Sequence, residues 1–185
     1  MAESTDEELM LRYAAGDAGA FETLYRRHRG PLYRFMLRQA GDAGAAEELF
    51  QDVWMRVIDS RERYEVRARF TTWLYTIAHN RLADHHRARR PAVSLSQEEG
   101  EEVLESLSDG GPAVEVRLDD KRALARMLEA LAELPEAQRE AFLMQQEGGM
   151  SLEEIAAATG AGRETVKSRL RYALAKLRAS LGMPK

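Results

Sequence analysis

At 185 residues with 44% hydrophobic side chains, the chain has apolar content for one medium domain or two small ones, which excludes disorder throughout. It has no cysteine, so disulfides, cysteine-ligated zinc and thiol catalysis are excluded. Its formal net charge of −4 is sharply segregated, with −4 over residues 1–60, +5 over 61–90, −8 over 91–120 and +3 over 121–185, and two basic patches flanking an acidic strip suit contact with a polyanion at two places.

The opening MAESTDEELM has no basic n-region or apolar h-region, and the longest apolar runs are a few residues. Neither a signal peptide nor a membrane span is expected, and the expected location is cytoplasmic. Strand signals are nearly absent, whereas helix caps recur. Thr5 and Glu8 form a T-x-x-E capping box that opens a first helix ending near Gly16, and Asp17 caps a second through AGAFETLYRRHRG. Gly30-Pro31 is expected to break the chain before a third helix, PLYRFMLRQA, and Gly41-Asp42 before a fourth, AGAAEELFQDVWMRVIDS. In that fourth helix Ala46, Leu49, Phe50, Val53 and Val57 make the buried stripe, leaving Glu48, Gln51, Asp52 and Met55 opposite.

A polar turn, RERYEVRAR, leads to the helix FTTWLYTIAHNRLADHHRARR, which ends before Pro91. Helical stepping puts Phe70, Leu74, Ile77 and Ala78 on the core side and Thr72, Tyr75, Thr76, His79, Ala83 and His86 on the other. Trp73, Thr76 and Asn80 form a ridge along the border. An aromatic ring beside hydroxyl, amide and imidazole groups, with Arg67, Arg69, Arg81 and Arg87 nearby, suits unpaired bases that stack on rings; core packing is the competing reading. His79, His85 and His86 near Asp84 raise a metal site as an alternative, but His85 lies about 100° from the other two and no H-E-x-x-H pattern occurs, so no metal or cofactor is assigned.

Residues 91–116 combine Pro, Gly, Ser and a run of Glu and read as a flexible acidic linker. Helical patterning then resumes, with Leu124, Met127, Leu128, Leu131 and Leu134 as an apolar stripe, and Pro135 starting another helix. The last two helices are the most specific signal. Ser151 and Glu154 make a second capping box, Gly160 sits at a short turn, and a longer helix runs from about Arg163. Two helices joined by a short Gly-containing turn are the form that places its second helix in the DNA major groove. On that helix Val166, Leu170, Ala173, Leu174, Leu177 and Leu181 face inward; Glu164, Ser168, Arg171, Tyr172 and Ala175 face out, with Lys167 and Arg169 at the edges. Arg171, Ser168 and Glu164 suit base edges, and Arg163, Lys167 and Arg169 suit phosphates. The expected architecture is all-α, with two small helical domains at 5–90 and 117–182 joined by the linker.

AEELFQDVWMRV, FTTWLYTIAHN, LAELPEAQREAF and SLEEIAAATGAGRETVKSRLRYALAKLR, in this order, resemble a bacterial extracytoplasmic-function (ECF) sigma factor from about residue 8 to 181. The resemblance implies a transcription initiation factor, not an enzyme. It would bind RNA polymerase core, mainly the β′ clamp helices and also β, and direct it to promoter DNA, with no small-molecule substrate. It further implies core docking through Glu48, Gln51, Asp52 and Met55. Melting and capture of the −10 non-template strand would fall to Tyr64, Arg67, Arg69, Trp73, Thr76, Asn80 and Arg87. Duplex reading of the −35 element would fall to Arg163, Glu164, Lys167, Ser168, Arg169, Arg171 and Tyr172. A partner anti-sigma factor is also implied. Two places depart from the family pattern: YEVRA lacks the loop's common Gly and Asp, and RYALAK puts Tyr172 and Leu174 where arginines are common. The alternative is a regulator that binds duplex DNA only, with a helical sensing domain in front.

Overall fold

The computed structural model describes residues 4–89 and 118–182. The acidic segment 91–116 lies outside the described residues, as does Arg90. Eight α-helices run through the described residues: α1 (Asp6–Ala14), α2 (Ala18–Ala40), α3 (Ala43–Asp59), α4 (Phe70–Arg89), α5 (Leu118–Ala132), α6 (Glu136–Gly148), α7 (Leu152–Thr159) and α8 (Arg163–Ser180), with a 3-10 turn at Arg61–Arg63. None of these is long and apolar enough to cross a membrane.

The helix starts follow side-chain chemistry legible in the sequence. Thr5 and Glu8 close the first capping box, and Asp17 and Asp42 accept from Ala20 N and Ala45 N at the starts of α2 and α3. Gly41 ends α2 in the left-handed conformation, with φ 69°, where a side chain would be strained. The start of α4 is held from another element, since Phe70 N donates to Glu7 Oε1 at 2.6 Å and so ties α1 to α4.

One expected break is absent. The chain runs through Gly30-Pro31 as a single helix of 23 residues, so the first unit has four α-helices rather than five. Pro31 lacks an N–H and its ring crowds the carbonyl one turn back, a cost of about 3 kcal/mol in a helix interior. Leu24 on one side of it, and Leu32, Phe35 and Met36 on the other, are fully buried in one core. At roughly 1.5–3 kcal/mol for each such side chain, keeping the helix whole outweighs the proline. Trp54 also proves to be core, edge-on to Tyr25 at 5.0 Å and to Phe21 at 5.8 Å, although it lies beside the stripe read from periodicity.

The helix-turn-helix unit, α5–α8, packs directly on the first unit. Helix α2 meets α6, and α4 meets both α6 and α7. Glu147 of α6 is held by Arg34 at 2.8 Å and by Arg38, both on α2. The face of α4 expected to be polar and open is therefore covered. Thr72 is buried, and Tyr75, only 1% exposed, lies edge-on to Phe35 at 5.0 Å. On its other side a Cβ added at Gly148 would stand 3.2 Å from the Tyr75 ring, so the glycine permits this close approach.

Candidate nucleic-acid interface

The loop after α3 and the first turns of α4 enclose a cleft of about 510 Å³. Ser60, Arg63, Tyr64, Arg67, Trp73 and Thr76 line it, with Ala157 of α7 on one side. Tyr64 is buried, its ring edge-on to Trp73 at 4.9 Å and to Phe70 at 6.4 Å, and its Oη has no hydrogen-bond partner. Burial, with Glu7 and Asp6 adding to it, pushes the phenol up to about 12, so it stays a neutral donor across the physiological range. Trp73 is half-buried, which leaves part of its ring facing the cleft. Thr76 Oγ1 donates to Thr72 O at 2.7 Å, and its lone pairs remain able to accept.

The structure brings most of the expected ridge together, although Asn80 is exposed beyond the residues that line the cleft. The arginines divide. Arg67 stays exposed and bonds Glu65 at 2.8 Å, while Arg87 meets Asp84 at 3.2 Å. Arg81 turns to Asp52 of α3, away from the cleft. Arg69 reaches Glu154 of α7 at 3.2 Å. Arg63, the first residue of the loop RYEVRAR, and Thr72 also line the cleft; Thr72 has no signal in the sequence, since it looks like any helical threonine.

The histidines do not converge, and the described residues contain no group of three or more His, Asp or Glu side chains able to hold a metal ion. His79 Nδ1 lies 2.7 Å from Glu140, His86 Nε2 is 3.6 Å from Glu136, and His85 is 3.5 Å from Arg89.

In the second unit Ser151 and Glu154 close the capping box of α7, and Gly160, at φ 66°, makes the turn into α8. Val166, Leu170, Ala173 and Leu177 are buried as the periodicity predicts, with Leu174 and Leu181 half-covered. Glu164, Lys167, Arg171 and Tyr172 are exposed on the opposite face, while Ser168 and Arg169 are half-buried at its edges. The Arg171 guanidinium sits over the Tyr172 ring at 5.0 Å, and Tyr172 is 52% exposed. Arg163 is held to Glu153 at 2.6 Å and to Glu164 at 3.0 Å. The face can present a guanidinium, an ammonium and a phenol to a groove.

On α3 the buried stripe is Ala46, Leu49, Val53 and Val57, with Phe50 half-covered. Glu48, Gln51 and Met55 are exposed, and Met55 at 54% is unusually open for a large apolar side chain. Asp52 departs from its expected free role, since it is half-buried and paired with Arg81.

Comparison with known proteins agrees with this layout. The family model for Sigma-70 region 2 matches residues 24–91, and that for Sigma-70 region 4 matches residues 124–177. The chain is 34% identical over 174 residues to the RNA polymerase sigma factor CarQ of Myxococcus xanthus, covering 94% of this chain and 95% of CarQ. It is 30% identical over 182 residues to the ECF RNA polymerase sigma factor SigK of Mycobacterium sp. (strain KMS), covering 97% and 93%. Among solved structures, the sigma factor RpoE in complex with the anti-sigma factor NepR from Bartonella quintana has a TM-score of 0.70 at 25% identity, covering 89% of this chain and 98% of that one. CnrH in complex with the cytosolic domain of CnrY has a TM-score of 0.68 at 26% identity, covering 97% and 98%.

Proposed function

Because the chain belongs to the ECF sigma factors of RNA polymerase, which are promoter-specific initiation factors, we propose a division of labour among three of its surfaces. The exposed face of α3, with Glu48, Gln51 and Met55, docks on the β′ clamp helices of core polymerase, with further contacts to β. Its apolar anchor is Met55, a side chain adaptable enough to seat on a partner helix. Asp52 acts at one remove by fixing Arg81 between α3 and α4.

The cleft of Tyr64, Trp73 and Thr76 takes an unstacked base of the −10 non-template strand, with Asn80 as a hydrogen-bonding rim and Arg67, Arg69 and Arg87 on phosphates. No bond is made or broken. Unstacking a base costs a few kcal/mol, which ring stacking and charge-assisted contacts offset, so opening is captured by binding energy. Helix α8 reads the −35 element as duplex: Arg171, Ser168 and Glu164 toward base edges, Lys167, Arg163 and Arg169 toward phosphates, and Tyr172 beside Arg171. The protein works in the cytoplasm, and an anti-sigma factor is its expected inhibitor, as NepR is for the RpoE it resembles.

The observation that carries this reading is the cleft walled by Tyr64 and half-buried Trp73 in the same chain as a helix-turn-helix with an open polar face. A regulator of duplex DNA alone has no use for it. The double variant Trp73→Ala, Asn80→Ala tests it in reconstituted holoenzyme. Removing the ring costs about 1–3 kcal/mol of strand capture, so permanganate-reactive thymines at the promoter should disappear while the variant still co-purifies with core. Undiminished promoter opening would sink the reading.

A further inference from the structure

The seam where the second unit packs on α2 and α4 holds a hollow of about 350 Å³ that neither DNA-facing surface nor the exposed face of α3 uses. Gln39 at the end of α2, His86 and Arg89 in the last turn of α4, and Glu136 and Arg139 at the start of α6 line it. A smaller cavity of about 20 Å³ shares Gln39, His86 and Glu136 as walls. Glu140, which also lines the smaller cavity, is already engaged by His79 at 2.7 Å.

Cationic and donor groups meet here without partners. Arg139 donates to Gln39 Oε1 at 3.2 Å and to Ala132 O at 3.0 Å, yet among the described residues neither it nor Arg89 has a carboxylate in ion-pair contact. Burial lowers the Arg139 guanidinium from its ordinary value, with Glu136 acting against it, as expected of a half-buried charge short of a counter-ion. Gln39 is 3% exposed, and with its oxygen on Arg139 its Nε2 is buried without an acceptor. His86 Nε2 is buried in the same state, since Glu136 at 3.6 Å lies beyond hydrogen-bond reach. Helix α6 opens on Pro135, which supplies no side-chain cap. The ends of α2 and α4 bring two negative poles against the positive pole of α6, about half a negative charge in sum, which is less than the excess of two guanidiniums over Glu136.

Donors that approach from three helices suit a tetrahedral oxyanion with three terminal oxygens better than a planar carboxylate with two. The volume exceeds that of the anion alone and leaves room for a short organic chain. We propose that the hollow binds a small phosphate monoester, with Arg89, Arg139 and Gln39 on the phosphate and Glu136, half-exposed at the rim, accepting from a hydroxyl of the organic part. The walls come from both units. An ester bound there engages the packed arrangement alone and stabilises the seam by mass action, so the stability of the chain follows the concentration of the ligand.

Isothermal titration calorimetry of the full chain at constant ionic strength, with glycerol 3-phosphate and separately with inorganic phosphate, makes the test. Glycerol 3-phosphate should saturate one site with a Kd tighter than about 1 mM and raise the thermal midpoint. Arg89→Gln should weaken it about tenfold, whereas Arg178→Gln, which removes the same charge from an exposed position on α8, should change it by less than about twofold. Gln39→Glu sharpens the result: a carboxylate at that position pairs with Arg139 and fills the place of the anion, so binding should disappear while the thermal midpoint holds or rises. Equal affinity for inorganic phosphate overturns the ester in favour of the free anion. No saturable binding, equal weakening by Arg89→Gln and Arg178→Gln, or retained binding in Gln39→Glu overturns the site.

Discussion

Helices α4 and α8 begin from the same design and end in different environments. Each turns an apolar stripe to its own unit, Phe70, Leu74 and Ala78 in one and Val166, Leu170 and Ala173 in the other. Each carries polar, aromatic and basic side chains opposite that stripe. In α8 that opposite face is open, with Arg171 and Tyr172 exposed. In α4 it lies under α6 and α7, with Thr72 and Tyr75 buried and the arginine before it paired to Glu154. The difference shows that helices of like residue chemistry can differ in exposure, because the placement of the neighbouring unit decides which faces stay open.

The largest break in that contrast should come from Glu147→Ala. Glu147 is the single carboxylate between Arg34 and Arg38, and its side chain is only 11% exposed. Hydrogen bonds to charged groups contribute about 1.5–3 kcal/mol, a loss that falls mainly on Arg38, 18% exposed, since Arg34 at 40% is partly solvated. Small-angle scattering should show the free chain expanding, and α4 should then resemble α8 in exposure. An unchanged radius of gyration would show that the seam does not depend on this clamp.

On the open side the contrast is sharpened rather than broken. Arg171→Ala should cost about 1–3 kcal/mol at a preferred −35 duplex and relax preference at one base pair, whereas Lys167→Ala should weaken binding to all sequences and reduce the salt slope by about 1. Both losses should be the same in the Glu147→Ala background, because α8 keeps its face outward in either arrangement. A duplex-binding loss that changed with seam opening would contradict the independence of the two surfaces. Titration of duplex against fluorescence anisotropy at two salt concentrations makes the measurement.

How far the sequence carried the fold follows from the same contrast. The capping residues Thr5, Asp17, Asp42 and Ser151 and the turn at Gly160 could be read locally, because each cap is satisfied within one turn of itself. Pro31 misled because a local helix breaker was overridden by core burial on both sides of it. That Trp73, Thr76 and Tyr64 gather around one cleft follows from helical spacing and the turn before α4, but Arg69 and Thr72 could not be placed, since their partner Glu154 lies more than eighty residues away. The pairing of Asp52 was out of reach for a similar reason, its partner Arg81 being on another helix. Local rules reach interactions within an element; seams between elements depend on packing that periodicity does not encode.

The smallest effect concerns pH, and it isolates one contact in the seam. The hydrogen bond that His79 donates to the Glu140 carboxylate raises it above its ordinary value against the opposing effect of burial. Glu136 on α6 adds to the rise, and Arg169 on α8 works against it. When the units part, His79 returns to water and to a value near 6.5. Its protonated form therefore favours closure: the contribution is fully present below the open-state value and is lost as pH rises through the higher closed-state value. His85 runs the opposite way, lowered by burial and by Arg89, but it touches its own helix rather than α6 or α7 and so does not distinguish open from closed. The separation between spin labels on the two units should widen slightly as pH rises above about 6.5, and His79→Gln should flatten that slope while leaving the label separation at high pH unchanged. The contact is partly solvated, which keeps the effect below that of Glu147→Ala. An equal slope in wild type and His79→Gln would assign the pH response to some other group and leave His79 as packing alone.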